Sequence, residues 1–459
     1  MKKFISLILV VAMLMSLAVM FSACTIADTE KKPANEPGNK SDSAQGEDAR
    51  FADYTAVPYQ ADETIYDEYK ALVEDKDVSE VKIGVILVGD EEEGYTLAHI
   101  NGIKKMCEEL GIDEETQVVY KKNIPEGDEC LDAAKELVDD ECNIIFANSF
   151  GHEGYMLQAA KKYKDVQFCH ATGYQAASSG LKNMTNYFNN VYESRYISGI
   201  YAGYKLNELA EEKPEIVVDD KITIGYVGAF TYAEVISGYT SFYLGVKSAC
   251  DYDVEMKVRY TGSWASQSLE NDAANALIEE GCVLISQHAD TTGAASACEA
   301  AGVYDVGYNV TMTEAAPNYA ITSAALNWAS YYTYAVANFI AGNDIAVDWS
   351  EGYATGAVQI TEVNKAAFSK AETYNAAVEA ANKAIEDIIA GKLHVFDTST
   401  WTVKGKTITG TKKIDGYNGI QYIKKDGDVR YFAESTISSA PAFNFKIDGI
   451  VELNEQYGD

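Results

Sequence analysis

The sequence predicts an α/β fold built of two successive parallel-sheet lobes. Short apolar runs of strand length alternate with helix-like stretches of about 10–15 residues, the mark of βαβ units. The alternation lapses after residue 190 and restarts at 221, each half opening on an Ile-Gly step, Ile83-Gly84 and Ile224-Gly225. The strand-like runs end in polar residues, as they should where a ligand sits in the crevice beyond the carboxyl ends of a parallel sheet.

In order, residues 54–76 have helical spacing and suit packing on the first lobe. Residues 81–88 form an apolar run of buried-strand length, followed by the acidic loop 89–96 and a helix over 97–110 that stops at Gly111. Strand 117–120, helix 130–140, strand 143–147, helix 154–163, strand 166–170 and a short strand 186–189 complete this half. Helix 193–208 leads to the second half. There the sequence predicts strand 221–228, helix 233–249, strand 255–260, helix 266–280, strand 283–286, helix 293–301, strand 303–308 and strand 319–322. Residues 327–341 read as an aromatic helix, 365–390 as a longer one and 393–396 as a last strand. Gly-rich turns with Thr, Val and Ile between them make 398–431 a small β-hairpin region, and the final residues look irregular. The division expected is lobe 1 over 80–190, completed by about 325–400, lobe 2 over 191–324, and a C-terminal extension over 401–459. Two such lobes joined by few crossings make a hinged clamshell, in which a ligand held between the jaws stabilises the closed form.

At 459 residues the chain exceeds one average domain. A net charge of −33 keeps it soluble and repels nucleic acid and anionic lipid. Tyrosine is abundant at 32 and proline scarce at 7, which suits a packed protein with an aromatic surface or cleft. The N-terminus reads as a targeting segment: Lys2-Lys3, an apolar stretch over 4–20, then Phe21-Ser22-Ala23-Cys24, which resembles a lipobox. This predicts a signal peptide over 1–23 and Cys24 as a diacylated N-terminus. Residues 24–52 form a polar tether with too little apolar surface to fold. A plain secretory signal or an uncleaved anchor is the alternative. The other seven of the eight cysteines include no CxxC pair, and most sit among apolar residues as small hydrophobes.

Candidate chemistry lies at the strand ends. His288 and Asp290 follow one run and Asn309 another. Asp290 could equally cap the helix that starts near Gly293. His152, His170 and His288 all fall at or just past strand ends, and His99 lies one helical turn past Tyr95; a structural role competes for each. Tyr95, Phe150, Phe188, Phe230, Tyr232 and Trp264 could be core, but two or three facing each other would sandwich a planar ring, at roughly 1–3 kcal/mol per stacked base. Trp328, among Tyr331, Tyr332 and Tyr334, reads as packing or hinge. No histidine pair has metal-ligand spacing, the loop 89–94 lacks the glycines and lysine of a phosphate cradle, and no Gly-x-Ser-x-Gly occurs, so neither cofactor nor metal is expected. His288 and Asp290 are only a loose candidate pair for general acid–base work, with no nucleophile–base pair or metal beside them; the chain is expected not to be an enzyme.

Several stretches together resemble the BMP (basic membrane protein) family of solute-binding lipoproteins of ABC transporters, which includes purine nucleoside receptors. They are Gly94-Tyr95-Thr96-Leu97-Ala98-His99, residues 193–203 (ESRYISGIYAG), Ser263-Trp264, Gln287-His288-Ala289-Asp290, residues 302–309 (GVYDVGYN), and Thr322-Ser323 with Asn327-Trp328. The resemblance spans roughly 81–341. It implies a type I periplasmic-binding-protein fold, with a purine nucleoside or nucleobase held between the lobes and handed to ABC permease subunits at the outer face of the membrane. By position it implies ligand contacts from Asp90, Tyr95, His99, Asn148, Phe150, Phe230, Tyr232, His288, Asp290 and Asn309, with Trp264 among the aromatics. The chain departs from the family pattern at Ser266-Gln267, where an Asp-Pro is common, and at Asn309, near which many nucleoside binders carry aspartate. A receptor for another small solute, such as a sugar or signal molecule, and an extracellular nucleoside hydrolase are the competing readings.

Overall fold

The computed structural model describes residues 49–454. The expected signal peptide 1–23, Cys24, nearly all of the tether 24–52 and the last five residues of the extension lie outside them.

The first half runs α1 (Asp67–Val73), β1 (Ile83–Ile86), α2 (Gly94–Leu110), α3 (Glu114–Gln117), β2 (Val118–Lys121), α4 (Asp128–Asp139), β3 (Ile144–Ala147), α5 (Glu153–Lys162), β4 (Gln167–Ala171), α6 (Ala176–Ser179) and β5 (Met184–Tyr187). The second half runs α7 (Val191–Glu212), β6 (Lys221–Gly228), α8 (Ala233–Ala249), β7 (Asp253–Tyr260), α9 (Gln267–Glu279), β8 (Leu284–Gln287), α10 (Gly293–Ala301), β9 (Tyr304–Tyr308) and β10 (Ala320–Leu326). The chain then crosses back through α11 (Trp328–Ala341) and β11 (Asp348–Trp349), and crosses again into β12 (Val358–Ile360) and α12 (Ala371–Ile389). The extension carries β13 (Ile423–Asp426), β14 (Val429–Phe432) and β15 (Ile450–Glu452).

Two sheets result. The first has the order β11-β5-β4-β3-β1-β2, with every pair parallel. The second has the order β12-β10-β9-β8-β6-β7-β15, parallel except where β12 runs against β10. Each is covered on both faces, as parallel sheets require. On the first, side chains from α1, α2 and α11 pack one face and those from α4 and α5 the other. On the second, α7, α8 and α12 share a large core, with α9 and α10 opposite. Glycine permits the close approach of α7 and α8: a Cβ on Gly245 would stand 2.1 Å from the Tyr196 carbonyl oxygen. This is the doubly wound, two-lobed architecture predicted.

Several expectations are corrected. Of the stretch expected to complete the first lobe, only α11 and β11 pack there; β12 and α12 belong to the second lobe's sheet and core. The helix expected over 365–390 is interrupted: a 3-10 turn at Lys365–Ala367 precedes α12, and the Glu208 carboxylate accepts the Ser369 and Lys370 N–H groups at 3.0 Å each. Residues 393–396 form no strand, because Val395 and Phe396 are buried in the aromatic core instead of lining up along a sheet. Residues 54–62 are not helical; Tyr54 is tied down by its hydroxyl, which donates to the Phe368 carbonyl at 2.9 Å. The C-terminus, expected to be irregular, adds β15 to the free edge of β7, with Ile450 opposite Met256.

Three crossings join the lobes, at residues 188–190, 327 and 350–357. They are bound together by side-chain amides. Asn189 Nδ2 donates to the Asn327 and Ala357 carbonyls, and Asn327 Nδ2 donates to the Gly356 carbonyl and to Tyr66 Oη. The buried Glu193 carboxylate accepts the Tyr353 N–H at 2.8 Å. Asn189→Ala removes one of the donors to each of these two carbonyls, leaving the Asn327 N–H to Ala357 and Ser330 to Asn327. It is expected to lower stability by about 1 kcal/mol, read as a drop in Tm with no change in the folded-state circular dichroism.

Candidate functional site

The C-terminal ends of both sheets face one another across a small cavity. The first lobe supplies Val88 after β1, Glu93 and Tyr95 at the start of α2, Asn148, Ser149 and Phe150 after β3, and Thr172 after β4. The second lobe supplies Glu234 at the start of α8, Trp264 after β7, His288 and Asp290 after β8, and Tyr308 at the end of β9. The cavity volume is about 30 Å³, so the jaws stand close together. The Gly94 N–H donates to the Asp290 carbonyl at 3.0 Å, and the Phe150 and Tyr232 rings meet at 5.1 Å between centroids, both from one lobe to the other.

The aromatic side chains form a connected wall. Phe230 lies 5.4 Å from Tyr232 and 5.0 Å from Trp264, and Tyr232 lies 5.9 Å from Trp264. Tyr95 is held from behind: its hydroxyl donates to the Asn148 carbonyl at 2.7 Å and its ring edge meets His99 at 4.5 Å.

The polar groups are crowded and mostly acidic. Asp290 Oδ1 accepts from Asn309 Nδ2 at 3.2 Å. Burial holds the Asp290 carboxyl well above the usual carboxylate range, and the nearby Glu93, Glu270 and Glu234 carboxyls push it further. Burial also raises Glu93, whose carboxylate accepts from Thr96 Oγ1 at 2.6 Å. Glu270, behind the loop, is pushed up to about 7 by burial. His288 is lowered to about 4, first by burial and then by the Arg195 cation. Its imidazole is therefore neutral at physiological pH, with Nε2 3.3 Å from Glu234 Oε1 and Nδ1 3.3 Å from the Tyr226 hydroxyl. Arg195, fully buried, donates to the Gln287 carbonyl at 2.6 Å and lies 3.8 Å from the Tyr308 ring centroid. The buried polar atoms of this shell without a protein partner include Asn148 Nδ2 and the Tyr308 hydroxyl, both in the wall, and Asn309 Oδ1, an acceptor just behind it. Such atoms are what a polar ligand satisfies.

Of the residues expected from the sequence, Tyr95, Asn148, Phe150, Trp264, His288 and Asp290 line the cavity. His288 and Asp290 do so together because both lie in the loop that directly follows β8, which ends at Gln287. Asp290 is no cap: the residue before α10 is Thr292, and the Gly293 N–H is taken by Thr291 Oγ1. Tyr232 and Phe230 stand one ring further out. Asn309 stands behind Asp290, at a φ of 64° that asparagine tolerates better than most residues. Asp90 and His99 are not in the wall. The Asp90 carboxylate is committed to its own loop, accepting from the Glu92 N–H and Asn123 Nδ2, which hold it below the usual range. His99 is a core residue, stacked on Trp328 at 3.9 Å with Nδ1 2.6 Å from the Tyr332 hydroxyl. Phe188 packs in the same core, and His152 and His170 bond backbone carbonyls. Glu93, Glu234, Thr172 and Tyr308 were not expected. The two glutamates sit where acidic residues ordinarily favour a helix N-terminus, and that reading hides them. Among the described residues no group of three or more His, Cys, Asp or Glu is arranged to hold a metal ion.

Comparison with known proteins settles the family. The model for the Bmp family, described as ABC transporter substrate-binding protein PnrA-like, matches residues 80–393. The chain belongs to this family. A purine-binding protein of Brucella abortus is 32% identical over 253 residues, covering 55% of this chain and 67% of that one. A protein assigned by name as an ABC transporter glucose-binding protein of Haloferax volcanii is 31% identical over 228 residues, covering 50% of this chain and 54% of that one. In fold, the Bmp chain is similar to an ABC transporter solute-binding protein from Aeropyrum pernix, with a TM-score of 0.56 at 15% identity over 74% of this chain and 95% of that one. As a Bmp protein it is an extracytoplasmic substrate-binding protein of an ABC transporter, with a small-molecule ligand and a permease as partners. No helix among the described residues is long and apolar enough to cross a membrane.

Proposed function

We propose that this Bmp protein is a lipid-anchored receptor that captures a purine nucleoside or nucleobase between its two lobes and releases it, chemically unchanged, to the permease. The observation that carries the reading is the aromatic wall of Phe150, Phe230, Tyr232 and Trp264 beside the Asp290–Asn309 pair. Flat rings accept a base by stacking, and a carboxyl oxygen fixed by an amide is an acceptor for sugar hydroxyls. The purine-binding relative in Brucella abortus agrees with this. The lipid anchor rests on the Phe21-Ser22-Ala23-Cys24 pattern. A cavity of about 30 Å³ is far smaller than a nucleoside, so entry needs the jaws to part about the crossings at 188–190, 327 and 350–357. The wall lacks lysine and arginine and holds several carboxyls, which disfavours phosphorylated ligands.

The named glucose-binding relative favours a second reading, a sugar receptor on the same fold. Calorimetric titration of the purified protein with guanosine, adenosine, inosine, their free bases and D-glucose separates the two. The expected result is heat with at least one purine compound, at micromolar Kd or tighter, and none with glucose. Heat with glucose alone removes the purine reading.

A further inference from the structure

A second chamber of about 440 Å³ opens beside the inner cavity and shares Phe150, Thr172 and Glu234 with it. Its far wall comes from the extension, beyond the 80–393 span that the family model matches. Tyr174 and Ala177 of the first lobe face Ile420, Tyr422 and Ile437 of the extension, and Tyr232 of the second lobe forms the partition toward the inner cavity. The extension is fixed to both lobes. β15 pairs with β7, Trp401 and Phe443 lie in the second lobe's core, and the Ser439 N–H donates to Asp348 Oδ1 of β11 at 2.6 Å. A chamber held by anchors on two lobes is part of the fold.

Its chemistry is specific. Tyr174 is 55% exposed, Ile420 37% and Ile437 45%, so three of the exposed large apolar side chains converge on one space. Proteins seldom gather exposed apolar groups without an occupant for them. No lysine or arginine lines the chamber, while Glu234 and Asp348 do. Anions are therefore disfavoured, and an uncharged, partly aromatic group fits.

We propose that this outer chamber is a second ligand subsite, walled by the extension, that takes a neutral apolar or aromatic substituent of the ligand whose base lies in the inner cleft. The proposal rests on reading the inner cleft as the nucleoside site, and the test keeps the two apart. Ligand-observed NMR is recorded with 2-phenylethanol and phenyl phosphate against the wild-type protein, Ile437→Trp and Ala177→Trp. Both substituted side chains are exposed and lie on opposite walls, so neither supports the core. Guanosine titrations accompany each protein. The expected result is saturable binding of 2-phenylethanol to wild type, a weakening by about ten-fold or more in each variant, no binding of phenyl phosphate, and guanosine affinity within roughly two-fold throughout. The proposal is overturned by no binding of the alcohol to wild type, by equal binding to all three proteins, by phenyl phosphate binding as well as the alcohol, or by guanosine weakening in parallel. Guanosine failing to bind wild type sinks the nucleoside reading alone, and the 2-phenylethanol result then judges the chamber by itself.

Discussion

Asp290→Ala is expected to weaken purine-nucleoside binding by roughly 30–150-fold, about 2–3 kcal/mol, with little change in Tm. Asn309 holds one carboxyl oxygen at 3.2 Å, which leaves the other to the ligand. Removing it leaves a sugar hydroxyl buried without its partner, which costs about 1–3 kcal/mol, and the site excludes most of the water that could replace it. Two opposed effects keep stability near its starting value. The substitution orphans the Asn309 amide, but it also removes a carboxyl crowded by Glu93, Glu270 and Glu234, whose burial is costly. Calorimetry gives the affinity and thermal denaturation the control. The loss should fall on nucleosides and spare the free bases, because the pair is placed to receive sugar hydroxyls. Asp90→Ala, equally acidic in sequence, should leave affinity unchanged, since that carboxylate serves its own loop. Unaltered nucleoside affinity in the Asp290 variant, or an equal loss for the bases, means that the carboxyl is not where the sugar sits.

The contrast between Asp90 and Asp290 marks how far the sequence could be read. Where a strand ends is a local property. The runs at 144–147 and 283–285 are apolar and followed by polar residues, so the sequence locates Asn148, His288 and Asp290 at or just past strand ends, and all three line the cavity. Which way a side chain then turns depends on its neighbours. His99 lies on the same helix face as Tyr95, yet the flat indole of Trp328, more than two hundred residues on, offers it a stacking partner that no local pattern reveals. Glu93 and Glu234 do not stand out in the sequence because an acidic residue at the start of a helix already has a sufficient local reason to be there. The extension was least legible. Its core consists of isolated aromatic side chains on irregular backbone, such as Trp401, Tyr417, Phe443 and Phe445, which show neither a 2.0 nor a 3.6 period. β15 has only three residues and forms because an edge strand far back in the chain supplies its partner.

Stability should pass through a maximum between about pH 5 and 6.5 and decline on both sides, because two sets of buried groups oppose each other. On the alkaline side are buried carboxyls raised by desolvation: Glu193, Glu270 and Glu434 to about 7, Asp305 to about 8, and Asp290 well above its ordinary value. The folded chain keeps protons there that the unfolded chain has already released. Their stabilisation is complete below pH 4 and is lost as pH rises through the folded values, at about 1.4 kcal/mol per proton per pH unit. On the acid side are buried histidines lowered by desolvation: His288 to about 4, His170 to about 3, with His99 and His152 in the same direction. The unfolded chain takes up these protons below about pH 6.5 and the folded chain does not, so stability is lost as pH falls. Between pH 5 and 6.5 the two slopes largely cancel. Above that range the histidines have no further effect and the carboxyls act alone, so Tm should fall by several degrees between about pH 6.5 and 8.5. Asp305 gives the sharpest test, since neither of its oxygens has a hydrogen-bond partner and burial alone raises it. Asp305→Asn has a similar shape and no proton to lose, so its Tm should change less across the alkaline limb than that of wild type, with the acid limb unaltered. A Tm that climbs steadily from pH 5 to 8.5, or an Asp305→Asn profile parallel to wild type, would show that these carboxyls are ionised in the folded protein.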